Sequence, residues 1–275
     1  LLEFERISGV MDVETSLVIK LTILGSGTST GVPQVGCACE TCLSTDPRDS
    51  RLRCSSLLEI DNKLILIDCS PDFREQMMRL PFAPIDAIFI THEHYDHVGG
   101  LDDLRPFCKF GDITVYAESY CANHLRQRIP YCFTPPENRY PGVPAIDLVC
   151  IEPHLPVCIA QGVDVIPFRV MHGNLPILGF RIGGLAYITD MKTIPDEDLC
   201  YVTDVEVLVV NALRHELHNT HQTIDDAIEF SRKIRARKTY FIHMSHQIRP
   251  HAIEQAKLPP GFYLAYDGLV IEIPS

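Results

Sequence analysis

Apolar residues in this chain come in short blocks, most of them rich in β-branched side chains. Residues 18–24 (VIKLTIL) read as a strand that stops at Gly25. Residues 55–60 and 63–68, separated by Asp61 and Asn62, read as a hairpin on a two-residue turn. Residues 85–91 (IDAIFIT) are apolar at nearly every position, which predicts a strand buried on both faces. The second half repeats the style. Strands are predicted over 162–170, over 178–184 and 185–190 with a turn at Gly183 and Gly184, and over 205–212, 238–244 and 262–273.

Helical patterns are fewer. PDFREQMMRL opens with Pro71 in a favoured first-turn position. Residues 223–238 begin with a cap formed by Thr223 and Asp226 and end in cations. Ile224, Ala227, Ile228 and Ile234 give that helix its apolar face. Strands alternating with helices in both halves predict a mixed α/β class, two sheets with helices outside. Residues 117–160 break the pattern: a helical start, then a Pro-rich stretch interleaved with Tyr and Phe. That segment reads as a long insertion of the kind that covers a site. Residues 1–17 read as a poorly ordered lead-in, with Met11 a candidate start, and 18–275 as one domain.

The 275 residues, 46% hydrophobic, suffice for a full core. No apolar run approaches the roughly 18 residues of a membrane span, and the first residues lack the layout of a signal peptide. A net charge of −12 disfavours a polyanionic nucleic acid as partner. Eleven cysteines without a secretory signal predict reduced thiols in the cytoplasm. Eight of the eleven, scattered outside residues 36–42, read as small buried hydrophobes.

The other three stand together. GCACETC places Cys37, Cys39 and Cys42 in a C-x-C-x₂-C pattern, one donor short of a closed zinc site. The strongest chemical signal is THEHYDHVGG. His92, His94, Asp96 and His97 follow a buried strand directly, so a rigid element delivers them and a loop lets them converge. Imidazoles suit zinc, iron or manganese, and the carboxylate favours a second, harder site. Six residues cannot saturate two ions. His172, Asp190 and His243 each end an apolar run and supply the candidates for the remainder.

LGSGTSTGVP, THEHYDHVGG, HGNLPILGF, YITD and HMSH together resemble the markers of the metallo-β-lactamase-fold hydrolases, from about Val18 to Ile273. The resemblance implies an αβ/βα sandwich with a dinuclear metal site at one edge. It implies that His92, His94 and His172 hold one ion, that Asp96, His97 and His243 hold the other, and that Asp190 bridges them. A hydroxide between the ions would be the nucleophile, and Asp96 and Asp190 count with His221 as catalytic. R-x-R-C-S-S, NALR, H-x-T and HMSHQ narrow the likeness to the phosphoribosyl cyclic phosphate phosphodiesterase branch. That branch implies a separate structural zinc whose fourth ligand, beside Cys37, Cys39 and Cys42, is His246. It implies His221, in H-x-T, as general acid, with His218 the competing histidine. The resemblance also implies a homodimer.

The branch usually has Asp where this chain has Asn211. Arg51, Arg53 and Arg214 are candidate phosphate contacts, and equally well surface or structural ion pairs. GSGTSTG is Gly-rich but lacks the spacing of a phosphate cradle, and reads as a tight turn. His124, His154, His215, His218 and His251 receive no assigned chemistry, although His124 is placed to touch substrate. The reading is a phosphodiesterase acting on a small cyclic or nucleotide-like phosphodiester. Its rivals are a tRNA 3′-processing ribonuclease, a thioester or lactam hydrolase, and a metal-stabilised binding protein.

Overall fold

A computed structural model describes residues 18–160 and 163–274. The expected lead-in at 1–17 lies outside the described residues. In chain order the first half holds β1 (Val18–Gly25), β2 (Ser55–Ile60), β3 (Lys63–Ile67), α1 (Phe73–Met77), β4 (Ala87–Phe89), α2 (Tyr95–Val98), β5 (Ile113–Glu118), α3 (Ser119–Arg128) and β6 (Ile146–Ile151). The second half holds β7 (Val157–Ala160), β8 (Val163–His172), β9 (Leu175–Ile182), β10 (Leu185–Tyr187), β11 (Val207–Asn211), α4 (Ile224–Lys233), β12 (Lys238–Ile242), α5 (His251–Gln255), β13 (Phe262–Leu264) and β14 (Val270–Pro274).

The strands form two seven-stranded sheets, ordered β14-β1-β2-β3-β4-β5-β6 and β13-β12-β11-β10-β9-β8-β7. Period-two alternation decides which sheet face each side chain joins. Ile19, Leu58, Phe89, Phe180, Tyr187 and Val209 fill the layer between the sheets. Leu57, Ile88 and Val115 point the other way, toward the helices over the first sheet. Leu208 and Val210 do the same beneath α4, joined by its Ile224 and Ala227. The result is the αβ/βα sandwich that the sequence predicts. The capping box at Thr223 and Asp226 is formed, and α4 ends earlier than the pattern suggests, at Lys233.

Two expectations change. The apolar run 262–273 is not one strand: β13 pairs with β12 in the second sheet, and β14 pairs with β1 in the first. The chain crosses between sheets at Ala265–Leu269, where Gly268 has φ +90. The crossing is pinned by Asp267, whose carboxylate accepts from Ser26 N, Ser26 Oγ and Leu52 N at 2.7–2.9 Å. Residues 117–160 are also more than an insertion. They contain α3 and supply both β6, the edge of the first sheet, and β7, the edge of the second.

The expectation that the eight scattered cysteines are buried also changes, for Cys150 and Cys158 because they lie on edge strands and for Cys200 because it lies in a surface turn of helix at Asp196–Tyr201. Cys54, Cys69, Cys121 and Cys132 are buried and Cys108 partly so, but Cys150, Cys158 and Cys200 are exposed. No helix among the described residues is long and apolar enough to cross a membrane.

Candidate active site

Within each sheet four strands run parallel, β3 to β6 and β10 to β13. Parallel strands bring their carboxyl ends to one edge, where open sheets collect their functional groups. Asp68 follows β3, residues 91–97 follow β4, Asp190 follows β10 and His243 follows β12. Asp68, Asp190 and His243 all have left-handed backbones, with φ of 59°, 58° and 54°. Such backbones are costly for non-glycine residues and mark functional sites when the surroundings hold them.

The donors converge. His97 Nε2 lies 3.3 Å from Asp96 Oδ2 and 3.4 Å from Asp190 Oδ1. His243 Nε2 lies 3.4 Å and 3.2 Å from the same two oxygens. Four donors around a tetrahedral ion, each about 2.0–2.1 Å from it, stand about 3.3 Å apart, so the set has the dimensions of a metal cage. His97 Nε2 is buried and has no hydrogen-bond partner among the described residues, which is the state of a ligand atom.

A second group, His92, His94 and Asp190, shares Asp190 with the first. His172 joins differently from the expectation. Its ring is 5.3 Å from that of His94 and 5.8 Å from that of His92, but its donor atom groups with Asp190 and His221. His221 was expected to be surplus to ligation. Here it stands within ligand reach of Asp190, its ring 4.6 Å from His172 and 4.9 Å from His243. His218 is adjacent, 4.9 Å from His221 between ring centres.

Outer partners orient these rings. His97 Nδ1 donates to Asp68 Oδ2 at 2.7 Å, and His172 Nδ1 donates to Thr220 O at 3.0 Å. Each bond commits one nitrogen and leaves Nε2 with a lone pair for an ion. Asp68 also accepts from Thr91 N at 2.8 Å and from the Thr91 hydroxyl. Asp68 and Thr91 were missed in the sequence. The signal existed, since Asp68 ends an apolar run as Asp190 does.

Electrostatics point the same way. Burial pushes the Asp190 carboxyl up, but His243 and His97 outweigh it and hold it far below the usual range. Burial likewise raises Asp96, and His97 and His243 reverse that. For His97, burial disfavours the charge, yet Asp190, Asp96 and Asp68 pull its pKa well above the ordinary value. Three carboxylates demand positive charge here, and a divalent ion meets that demand better than one proton. His221 is pulled down to about 3, first by burial and then by His243.

A separate group joins Cys37, Cys39, Cys42 and His246. His246 Nδ1 is 3.2 Å from Cys37 Sγ and 3.4 Å from Cys39 Sγ. Gln34 N donates to Cys42 Sγ and Cys42 N to Cys39 Sγ, bonds that favour thiolates. Residues 25–31 spend most of their backbone N–H groups on the chain itself, including Ser26 N on Asp267 Oδ1. Thr28 N donates to Met244 O and Met244 N to Ser26 O, so this turn straps the cysteine loop onto the segment after His243.

Two arginines named as phosphate contacts are otherwise employed. Arg51 is buried and donates to Ser26 Oγ and Ala265 O. Arg53 pairs with Asp72 at 2.8 Å. Arg214 is half-buried and donates to Gln247 Oε1 and to carbonyls of its own loop. His124 faces Glu93 at 3.5 Å. His154 pairs with Asp198, His215 with Glu254, and His251 with Arg51.

The Beta-lactamase superfamily domain model matches residues 63–244. A solved diphosphatase from the PhnP family is 39% identical, with TM-score 0.86 over 94% of this chain and 99% of that one. Zn²⁺-bound PqqB from Methylobacterium extorquens has TM-score 0.78 at 21% identity, over 92% of this chain and 99% of that one, a likeness of fold. An octanoyltransferase of Porphyromonas gingivalis is 45% identical over 91% of this chain and 51% of its own length. The chain spans about half or less of the curated relatives it matches.

Proposed function

The chain belongs to the beta-lactamase superfamily, and from that premise we propose that it is a dinuclear phosphodiesterase for a small cyclic or nucleotide-like phosphodiester. One observation carries the reading: Asp190 is the single residue common to all three His/Asp donor groups. A carboxylate shared this way suits two adjacent ions. His92, His94 and His172 would hold one, Asp96, His97 and His243 the other, with zinc, manganese or iron all compatible with the donors. Cys37, Cys39, Cys42 and His246 would hold a structural zinc, and reduced thiols there fit a cytoplasmic setting.

When bound, the ions supply Lewis acidity and an acidified water. The chain's own residues do the rest. Asp68 and Thr220 O fix the rings of His97 and His172. His221 is buried and its pKa is lowered to about 3, so to act as the general acid it would first have to take a proton from solvent as the phosphodiester anion enters beside it, and would then deliver that proton to the departing oxygen.

A second reading, attack on a phosphoanhydride, is favoured by the 39% identical diphosphatase. One panel separates the classes: bis(p-nitrophenyl) phosphate, a cyclic ribose phosphate, a cyclic dinucleotide, a dinucleoside diphosphate, an octanoyl thioester and a tRNA precursor. Turnover of the diesters is expected to dominate. Activity confined to the thioester, the class suggested by the octanoyltransferase similarity, would overturn the proposal. His221→Ala is expected to keep both ions and to lose about 10²–10⁴ in rate on alkoxide leaving groups. Loss of an ion would make His221 a ligand instead.

A further inference from the structure

The segment Asn211–Ala212–Leu213 closes β11 and runs between the three loops that carry Asp190, His221 and His243. Its hydrogen bonds are spent on those loops. Asn211 Oδ1 accepts from Met191 N at 2.8 Å, and Asn211 Nδ2 donates to Met191 O at 3.0 Å. Met191 immediately follows Asp190. The same Met191 carbonyl accepts from Gln222 N at 3.1 Å, and Gln222 immediately follows His221. The ring closes where Leu213 N donates to Gln222 O at 3.0 Å. On the far side Ala212 N donates to Ile242 O, and Ser245 N to Leu213 O, either side of His243.

Asn211 is fully buried, as is Met191. No solvent replaces a lost bond there, so a backbone N–H left without its acceptor forces the loop to move. That loop holds Asp190 in a left-handed conformation, which a non-glycine residue keeps only where its surroundings support it, even though Asp tolerates it better than most.

We propose that Asn211 is a positioning residue: through the backbone N–H and C=O of Met191 it sets the Asp190 carboxylate and the His221 ring relative to one another. This rests on the reading in which Asp190 bridges two ions and His221 protonates the leaving group. Asn211 touches neither substrate nor ion. The half of the clamp that matters most is the acceptor, since Met191 O keeps Gln222 N as a donor while Met191 N has, among the described residues, only Asn211 Oδ1.

A kinetic double-mutant cycle on the metal-loaded enzyme tests it, with a diester bearing an alkyl leaving group. Asn211→Ala is expected to lower kcat about thirtyfold, the scale of a sub-ångström misplacement, with KM changed less than about twofold. Added to His221→Ala, the same change is expected to cost less than about threefold, because what Asn211 sets is the placement of Asp190 relative to the His221 ring, and that relation no longer counts once the ring is gone. Ion content stays at the wild-type value. Asn211→Asp keeps the acceptor for Met191 N and is expected to restore kcat to within about threefold of wild type.

A full thirtyfold loss in the His221→Ala background would overturn the proposal. So would an Asn211→Asp variant that regains thermal stability without regaining kcat, since that separates fold from positioning. This arm stands even where Asn211→Ala fails to fold. Wild-type rate in His221→Ala alone would overturn the proton-donor reading, and this inference with it.

Discussion

Two donor clusters sit three residues apart in the chain, at His243 and His246, and they are built on opposite plans. The His/Asp cluster hangs from the ends of parallel strands, with Asp190, His97 and His243 almost wholly buried. The Cys₃His cluster sits on loops, with all four residues half-exposed. The first shares one carboxylate among three groups and has a spare histidine beside it. The second has four protein donors and no surplus, the mark of a closed structural site. The contrast teaches that burial here serves electrostatics. Buried carboxylates and imidazoles act more strongly on a bound charge than exposed ones, while thiolates on a loop need only tie chain to chain.

The sharpest way to break this comparison is Asp190→Asn. On our reading it removes the ligand common to both ions, and activity should fall by roughly a thousandfold, or about 4 kcal/mol of transition-state stabilisation. Elemental analysis after gel filtration should show fewer ions, with the Cys-bound zinc retained. A variant that keeps two catalytic ions and its rate would end the bridging assignment.

Cys39→Ser asks the reverse question. Burial raises the Cys39 thiol, yet contacts from His246, Cys42 and Cys37 bring it down to about 6, so its thiolate forms readily. On our reading, losing a zinc there opens a link between residues far apart in the chain, worth about 4 kcal/mol by analogy with other long-loop cross-links. For a chain this size Tm should drop by roughly 10 °C. Activity at 20 °C, with metal supplied, should stay within about tenfold of wild type, the scale of an outer-shell change. Loss of activity without loss of Tm would place the cysteines in the chemistry.

How legible all this was in the sequence depends on density. His92, His94, Asp96 and His97 crowd into six positions after a buried strand, a pattern that few other structures explain. His172, Asp190 and His243 were named as candidates by their place at strand ends, and the structure groups the donor atom of each histidine with Asp190. Asp68 has the same place and escaped, because a single carboxylate after an apolar run is common and its partner His97 lies 29 residues away. The strands were legible where alternation reported two buried faces. They failed where an apolar run changed sheets at Asp267–Gly268, and where exposed Cys150 and Cys158 lay on edge strands whose exposure no local pattern encodes. Arg51 misled for a similar reason: its burial comes from Ser26, Ala265 and His251, scattered over the whole chain.

The smallest expected effect concerns the ground between the clusters. His251 is buried, with its Nδ1 facing Arg51 Nη2 at 3.3 Å. Arg51 also holds Ser26, and Ser26 O holds Met244, next to His243. Asp49 accepts from His251 N at 2.7 Å and from the Ser44 hydroxyl, beside the cysteine loop. Burial, then the Arg51 charge, lowers the His251 pKa to about 4. An unfolded histidine titrates near 6.5. Between those values the unfolded chain binds a proton that the folded one refuses, so stability falls as pH drops from about 6.5 to about 4. It levels off below that, and above 6.5 the term vanishes. The loss is at most about 3 kcal/mol. His251→Gln removes it, so the difference in Tm between wild type and variant should shift in the variant's favour across that window. Metal loss in acid acts on both proteins and cancels in the difference. A constant difference from pH 7.5 to 4 would mean that His251 titrates alike in the folded and the unfolded chain, and that burial beside Arg51 does not hold it neutral.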